Sequence, residues 1–131
     1  MKQNAIIEVI GTQFVEGQSD TVELTSDGFV EINEKGMRLT YDEGEGTTVM
    51  TVVGESVSIS RSGEDGMSMV IQKNRRRQCS YASPMGMLLI GTFCEEMQIE
   101  ENHIKLKYNL DMNSALLSKN TLEVHIKPYR E

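Results

Sequence analysis

Several residue types are scarce in this chain of 131 residues, and their scarcity excludes whole classes of protein. Tryptophan is absent, and proline and cysteine occur twice each. Two cysteines outside a Cys-x-x-Cys motif cannot build the dense disulfide framework of a small secreted domain. The longest apolar stretch, residues 85–90, is interrupted by Gly86 and is far shorter than the ~20 apolar residues of a membrane-spanning helix. The sequence therefore indicates neither a disulfide scaffold nor a helical membrane protein.

The N-terminus also lacks the pattern of a secretory signal. A signal peptide needs roughly 7–15 apolar residues, and Glu8 interrupts the first apolar run after three residues. We therefore expect a cytoplasmic protein that does not associate with membranes. Cys79 and Cys94 are expected to be reduced and buried there, and a disulfide between neighbouring strands is the alternative that the cytosol disfavours.

The charge balance is acidic, with 20 acidic and 13 basic residues and a formal net charge of −7. This balance argues against a general nucleic-acid-binding protein, which usually carries an excess of Lys and Arg. Residues 73–77, however, read Lys-Asn-Arg-Arg-Arg and hold four of the 13 basic residues. This run stands out against the acidic background of the rest of the chain.

The composition and the hydrophobic pattern both favour β-structure. Val, Ile and Thr are abundant, as expected of strands. Apolar and polar residues alternate with a period of two through residues 104–112 and again through residues 122–127, which is typical of strands with one face in a core. Residues 20–33 keep one phase across Gly28, so they are predicted to form one long strand that is kinked at this glycine.

Tight turns separate about ten short strands and leave no room for crossover helices. The prediction is a single all-β domain over residues 1–131, an antiparallel meander closed into a barrel of about eight to ten strands. A β-sandwich is the competing fold. Residues 112–118 are irregular, and a short helical turn is expected there, with Leu116 and Leu117 plugging one end of the barrel.

Three patterns, in order, resemble the YwiB-like family of bacterial proteins. They are the segment from Asp27-Gly28-Phe29 to Tyr41-Asp42-Glu43, the triplet Arg61-Ser62-Gly63, and Tyr81-Ala82-Ser83-Pro84-Met85-Gly86 followed by an apolar strand. The last pattern departs mildly from the family's commoner form, which has Thr before Pro and an aromatic residue before Gly. The resemblance implies a small cytoplasmic barrel of the lipocalin-like (calycin) type. It carries no established activity, but other calycin barrels often hold small apolar or amphipathic ligands.

Arg61 is the first candidate site residue. It continues the strand face of Val57 and Ile59, so it is predicted to point inward at one end of the barrel. A buried guanidinium needs an anionic or carbonyl partner. That partner is either an internal ion pair or the carboxylate or phosphate of a ligand.

Tyrosines form the second candidate group. Tyr41 continues the face of Met37 and Leu39, and Tyr108 continues that of Ile104, so both are predicted to point inward. A phenol inside a barrel suits a ligand pocket, and it suits an ordinary core with a bonded hydroxyl equally well. Tyr81 is the third tyrosine of this group.

Arg75 and Arg77 form the third candidate site, on the strand face that also carries Cys79 and Tyr81. Charges here either protect an edge strand from aggregation or form a site for a phosphate or an acidic partner. Nucleic-acid binding is disfavoured because only one aromatic residue is near these cations.

His103 and His125 lie on the polar faces of the last two strands, and the sequence shows no third ligand to complete a metal site. Catalytic motifs such as Gly-x-Ser-x-Gly and His-Glu-x-x-His are absent. We therefore predict no catalytic residues, no metal and no cofactor.

The preferred hypothesis is a binding protein whose lumen holds a small amphipathic or anionic molecule, with Arg61 as its anchor. The alternative is an interaction module with a filled core that docks an acidic protein or RNA through Arg75–Arg77. An enzyme acting on a phosphorylated metabolite at the barrel mouth is a third and weaker hypothesis. The expected state is a monomer or a homodimer.

Overall fold

The computed structural model describes residues 2–44, 46–62, 67–83, 86–112 and 115–128. Ten strands follow one another along the chain: β1 (Lys2–Val15), β2 (Gln18–Ile32), β3 (Met37–Glu43), β4 (Gly46–Val53), β5 (Ser56–Arg61), β6 (Met67–Gln72), β7 (Arg76–Ser83), β8 (Gly86–Glu100), β9 (His103–Met112) and β10 (Ala115–Pro128). The described part of the chain contains no helix that is long and apolar enough to cross a membrane.

The strands form one sheet in the order β6-β5-β4-β3-β2-β1-β10-β9-β8-β7, and every neighbouring pair in it is antiparallel. All neighbours except β1 and β10 are consecutive in sequence, so the fold is a meander. The two edge strands, β6 and β7, are also consecutive and lie beside each other. The sheet thus curls into a nearly closed barrel, and the predicted all-β barrel of eight to ten strands is confirmed.

Side chains join β6 to its neighbours at the seam of the barrel. The backbone N–H of Val70 donates to Cys79 Sγ at 3.3 Å, and Thr92 Oγ1 donates to the carbonyl of Val70 at 2.7 Å. Near the end of the seam, the N–H of Asn74 donates to the carbonyl of Cys94 at 2.9 Å. These bonds supply partners for edge groups that the backbone ladder leaves open. Cys79 and Cys94 are both free thiols.

Gly28 is the point at which β2 leaves its neighbour β3. Residues 28–32 of β2 pair with β3, whereas residues 18–31 pair with β1. A side chain at Gly28 would overlap the carbonyl oxygen of Thr40 and lie 3.0 Å from Ile7 Cγ1. Only glycine fits this close approach, which explains the in-phase glycine of the sequence pattern.

Apolar side chains from strands around the barrel fill its interior. Those with almost no exposure include Ile7, Leu39, Met50, Val57, Ile71, Ile104, Leu106 and Val124. Each follows the period-two alternation of its strand. The interior is therefore packed with apolar side chains over much of its length.

The prediction for residues 112–118 is wrong where the structure describes them. Residues 115–118 belong to β10, with a register shift between Leu116 and Ser118 rather than a helical turn. Leu116 and Leu117 are 58% and 42% exposed, so they do not plug the barrel. A bulge inserts one extra residue into a strand, and such an insertion breaks the alternation that the sequence pattern relies on. Residues 113 and 114 lie outside the described part.

Candidate functional site

Three inward-facing polar residues lie side by side on β3, β4 and β5. Tyr41 pairs with Thr48, and Thr48 pairs with Arg61. Tyr41 and Thr48 are 4% and 2% exposed. Directly opposed residues on neighbouring strands are close enough for their side chains to interact. Together with Glu43 these residues are called the Arg61 cluster below.

Hydrogen bonds between Thr47 and Ser62 join the ends of β4 and β5 beside the cluster. The N–H of Ser62 donates to the carbonyl of Thr47 at 3.0 Å, and the N–H of Thr47 donates to Ser62 Oγ at 3.1 Å. Arg61 is therefore held at the last position of β5, where its side chain reaches the barrel end.

Glu43 is the ion-pair partner of Arg61. Its Oε2 accepts a hydrogen bond from Nη1 of Arg61, and each of the two side chains is 33% exposed. Glu43 lies two residues beyond Tyr41 on β3, so the two share a strand face. The internal ion pair that was one interpretation of Arg61 is present, and it occupies one edge of the guanidinium.

Two buried polar atoms of the cluster have no hydrogen-bond partner in the described structure: Oγ1 of Thr48 and Nε of Arg61. They belong to residues that are directly paired across β4 and β5. Buried polar groups in proteins are nearly always hydrogen-bonded, and one left open costs about 1–3 kcal/mol. The Arg61 cluster thus holds two unpaired buried polar groups on adjacent residues of the described structure.

The Tyr41 hydroxyl stays protonated over the physiological range. Burial and, to a smaller extent, the charge of Glu43 raise its pKa from 10.0 to about 12, against the opposing effect of Arg61. A neutral phenol can donate a hydrogen bond. The Arg61 cluster therefore contains three groups able to donate: the phenol, the Thr48 hydroxyl and the Arg61 Nε–H.

Tyr108 lies elsewhere, on β9, where it pairs with Cys94 of β8 and Asn120 of β10. Burial raises its pKa to about 12, with a smaller contribution from Cys94. Burial likewise raises the pKa of the Cys94 thiol. Nearby, Asn120 Nδ2 donates to Ser118 Oγ at 3.0 Å. This region is a second polar part of the inner face, on β8, β9 and β10 rather than on β3, β4 and β5.

Arg77 and its neighbour Arg76 bind residues of the barrel wall. Arg77 Nη1 donates to Gln72 Oε1 at 3.2 Å, which links β7 to β6. Arg76 binds Asp111 through two hydrogen bonds of 3.1 and 2.6 Å. It reaches Asp111 by passing over Gly91 of β8, where a Cβ atom would collide with the guanidinium.

Arg75 lies in the tight turn between β6 and β7 and is exposed. The run of arginines therefore does not form one patch of free cations. Tyr81 belongs to β7, but its side chain lies outside the described part of the structure.

Sequence reasoning missed Thr48 and Glu43. Thr48 begins the inward alternation that continues through Met50 and Val52, and this signal was available in the sequence. Glu43 is the last residue of β3, and its contact with Arg61 crosses from β3 to β5, which the pattern of one strand does not show.

The structure also groups His103, Glu123 and His125, with one potential ligand atom from each lying within 4.8 Å of the others. Glu123 is a third candidate ligand that the sequence analysis did not single out, although it lies two residues from His125 on the same strand face.

The fold and the polar inner residues define a small antiparallel β-barrel with a packed interior. Residues 7–124 match the family model described as "Domain of unknown function (DUF1934)", so the chain belongs to the DUF1934 family. Among solved structures, the chain is similar to the ywiB protein from Bacillus subtilis, with a TM-score of 0.84 and 17% sequence identity over 98% of this chain and 94% of that one. This likeness confirms the resemblance and the fold. No curated protein matches the chain.

Proposed function

We propose that this protein binds a small molecule with an anionic oxygen, a carboxylate or a phosphate, at the Arg61 cluster. The observation that carries the proposal is the pair of open polar atoms, Thr48 Oγ1 and Arg61 Nε, on directly paired residues. Both groups can donate, and an acceptor oxygen placed between these neighbouring residues would satisfy both. The analogy with ligand-holding calycin barrels supports the same class of function.

The ion pair defines how such a ligand would approach. Glu43 binds Nη1 of Arg61 and leaves the buried Nε without a partner in the described structure, so a second acceptor has to reach Nε beside this ion pair. The neutral Tyr41 phenol adds a further donor. Because buried apolar side chains occupy much of the interior, the ligand belongs at the barrel end rather than deep in the lumen.

Native mass spectrometry of the protein purified from its own host tests this proposal. We expect the native mass to exceed the denatured mass by that of one small molecule. The Thr48→Val variant should lose this adduct, because valine keeps the shape of the side chain and removes the donor. Arg38→Gln is the matched control, since Arg38 is an exposed arginine on β3 and should leave the adduct in place.

A wild-type protein without an adduct would contradict the proposal, as would an adduct that survives in Thr48→Val. The docking of an acidic protein or RNA through Arg75–Arg77 stays a prediction, and the engagement of Arg76 and Arg77 within the barrel wall does not favour it. The cytoplasmic location, the monomeric or homodimeric state and the lack of a catalytic role also stay predictions.

A further inference from the structure

The outer face of β9 and β10 brings two histidines into direct contact. His103 and His125 are cross-strand partners, and their rings stack with centroids 4.6 Å apart and planes inclined by 24°. They point outward because the residues that follow and precede them in the alternation, Ile104 and Val124, are buried. The two imidazoles thus lie side by side on a half-exposed surface.

Glu123 completes a group of three. It lies two residues before His125 on the same strand face, and its Oε2 is 3.8 Å from Nε2 of His125. Its other oxygen, Oε1, is 3.7 Å from Nζ of Lys105. One carboxylate oxygen thus lies nearer Lys105 and the other lies nearer the histidine.

This donor set is suited to a first-row divalent metal. Zn²⁺ binds imidazole nitrogen at about 2.0–2.1 Å and carboxylate oxygen at about 2.0–2.2 Å, usually in a tetrahedral arrangement. Ligand atoms of such a tetrahedron lie roughly 3.3–3.4 Å apart. The three residues already place candidate atoms within 4.8 Å of one another. Metal binding requires these partly exposed side chains to rotate and the two rings to unstack, because the in-plane nitrogen lone pairs of stacked imidazoles do not converge on one ion.

The strands beneath the group are also well fixed. Residues 103–107 of β9 pair continuously with residues 121–125 of β10, and the buried Ile104 and Val124 anchor this stretch to the core. A rigid backbone lowers the entropic cost of bringing three ligands together. We propose that His103, Glu123 and His125 form a binding site for Zn²⁺ or a similar divalent transition metal, with the fourth position open to water. This site is separate from the Arg61 cluster and does not depend on the function proposed for it.

The direct test is calorimetric titration of the metal-free wild-type protein with Zn²⁺. We expect one bound ion per chain, and Co²⁺ in place of Zn²⁺ should give the intense visible absorption of a four-coordinate site. The His125→Ala variant should lose more than about tenfold in affinity, since even residues outside the ligand shell change metal affinity by about 10–100-fold. His103→Ala should behave in the same way.

Two further variants make the test specific. Glu123→Gln should weaken binding and keep the fold, because its side chain is partly exposed. Glu101→Gln is the control, since Glu101 is an exposed carboxylate in the turn between β8 and β9 and should not change the affinity. The double variant His103→Ala/His125→Ala retains Cys79 and Cys94. Undiminished Zn²⁺ binding by this double variant, or no binding by the wild type, would overturn the proposal.

Discussion

Thr48 and Thr92 are two buried threonines of the inner face with opposite hydrogen-bonding states. Thr92 is fully buried, and its hydroxyl donates to the carbonyl of Val70 at 2.7 Å. Thr48 is almost as buried, and its hydroxyl has no partner in the described structure. The first hydroxyl stabilises the barrel seam, whereas the second is buried without a partner at a cost in stability.

The same substitution should therefore lower the stability of the protein at Thr92 and should not lower it at Thr48. Thr92→Val should lower the free energy of unfolding by about 1–3 kcal/mol, because the Val70 carbonyl loses its partner. Thr48→Val should leave the ligand-free protein unchanged or raise its stability by up to about 1 kcal/mol, because an unpaired buried hydroxyl is removed. Urea denaturation of the ligand-free proteins measures both. An equal loss in the two variants would show that the Thr48 hydroxyl is bonded in the free protein.

The raised pKa of Tyr41 predicts that the protein loses stability in alkaline solution. Its pKa is raised from 10.0 to about 12 in the folded protein, so the folded state holds the phenolic proton more tightly than the unfolded chain. Stability from this group is complete below pH 10.0 and is lost as the pH rises through about 12, by at most about 3 kcal/mol. Tyr41→Phe should show a shallower decline of unfolding free energy across this range. Parallel curves for variant and wild type would contradict the buried phenol.

Where alternation is regular, the sequence correctly predicted the strand face on which a side chain lies. Arg61 and Tyr41 share strand faces with buried residues, as their positions in the pattern require. The ion-pair partner of Arg61 was not predictable in the same way, because a partner on another strand depends on register. The grouping of His103 with Glu123 depends on register too.

Among the strands, β2 shows how one glycine shapes an element. Its pairing with β3 stops at Gly28, while its pairing with β1 continues for ten residues beyond, from Asp27 to Gln18. The predicted strand over residues 20–33 closely matches the observed Gln18–Ile32. In contrast, the bulge of β10 near Leu116 was not predicted, because its extra residue breaks the alternation.

Two glycine substitutions test the role of the close approach between Gly28 and the carbonyl oxygen of Thr40. Gly28→Ala should destabilise the protein by about 1–3 kcal/mol, because the new methyl group overlaps the Thr40 carbonyl oxygen and the backbone must move. Gly11→Ala on β1 is the matched control, since the nearest atom to its Cβ is Leu122 Cδ1 at 4.0 Å. Denaturant unfolding of both variants gives the comparison. If Gly28→Ala were as stable as Gly11→Ala, the account of the close approach at Gly28 would be wrong.

In the molecule as a whole, the Arg61 cluster and the histidine group lie on different parts of one packed barrel. The Arg61 cluster occupies the inner face near the ends of β3 and β5, and the histidine group occupies the outer face of β9 and β10. The fold class followed from turn spacing and alternation. Whether the interior is packed could not be predicted from the sequence, because a period-two pattern is the same for hollow and packed barrels.

The central claim is that a small anion binds at the Arg61 cluster, and a thermal-shift screen of simple carboxylates and phosphates tests it most directly. A ligand at free concentration c that binds only the folded state stabilises it by RT ln(1 + c/Kd), so the melting temperature rises as the ligand concentration exceeds Kd. We predict that at least one compound stabilises the wild-type protein and the Arg38→Gln control but not the Thr48→Val variant. Equal stabilisation of the wild type and Thr48→Val, or no stabilisation by any compound, would contradict the claim.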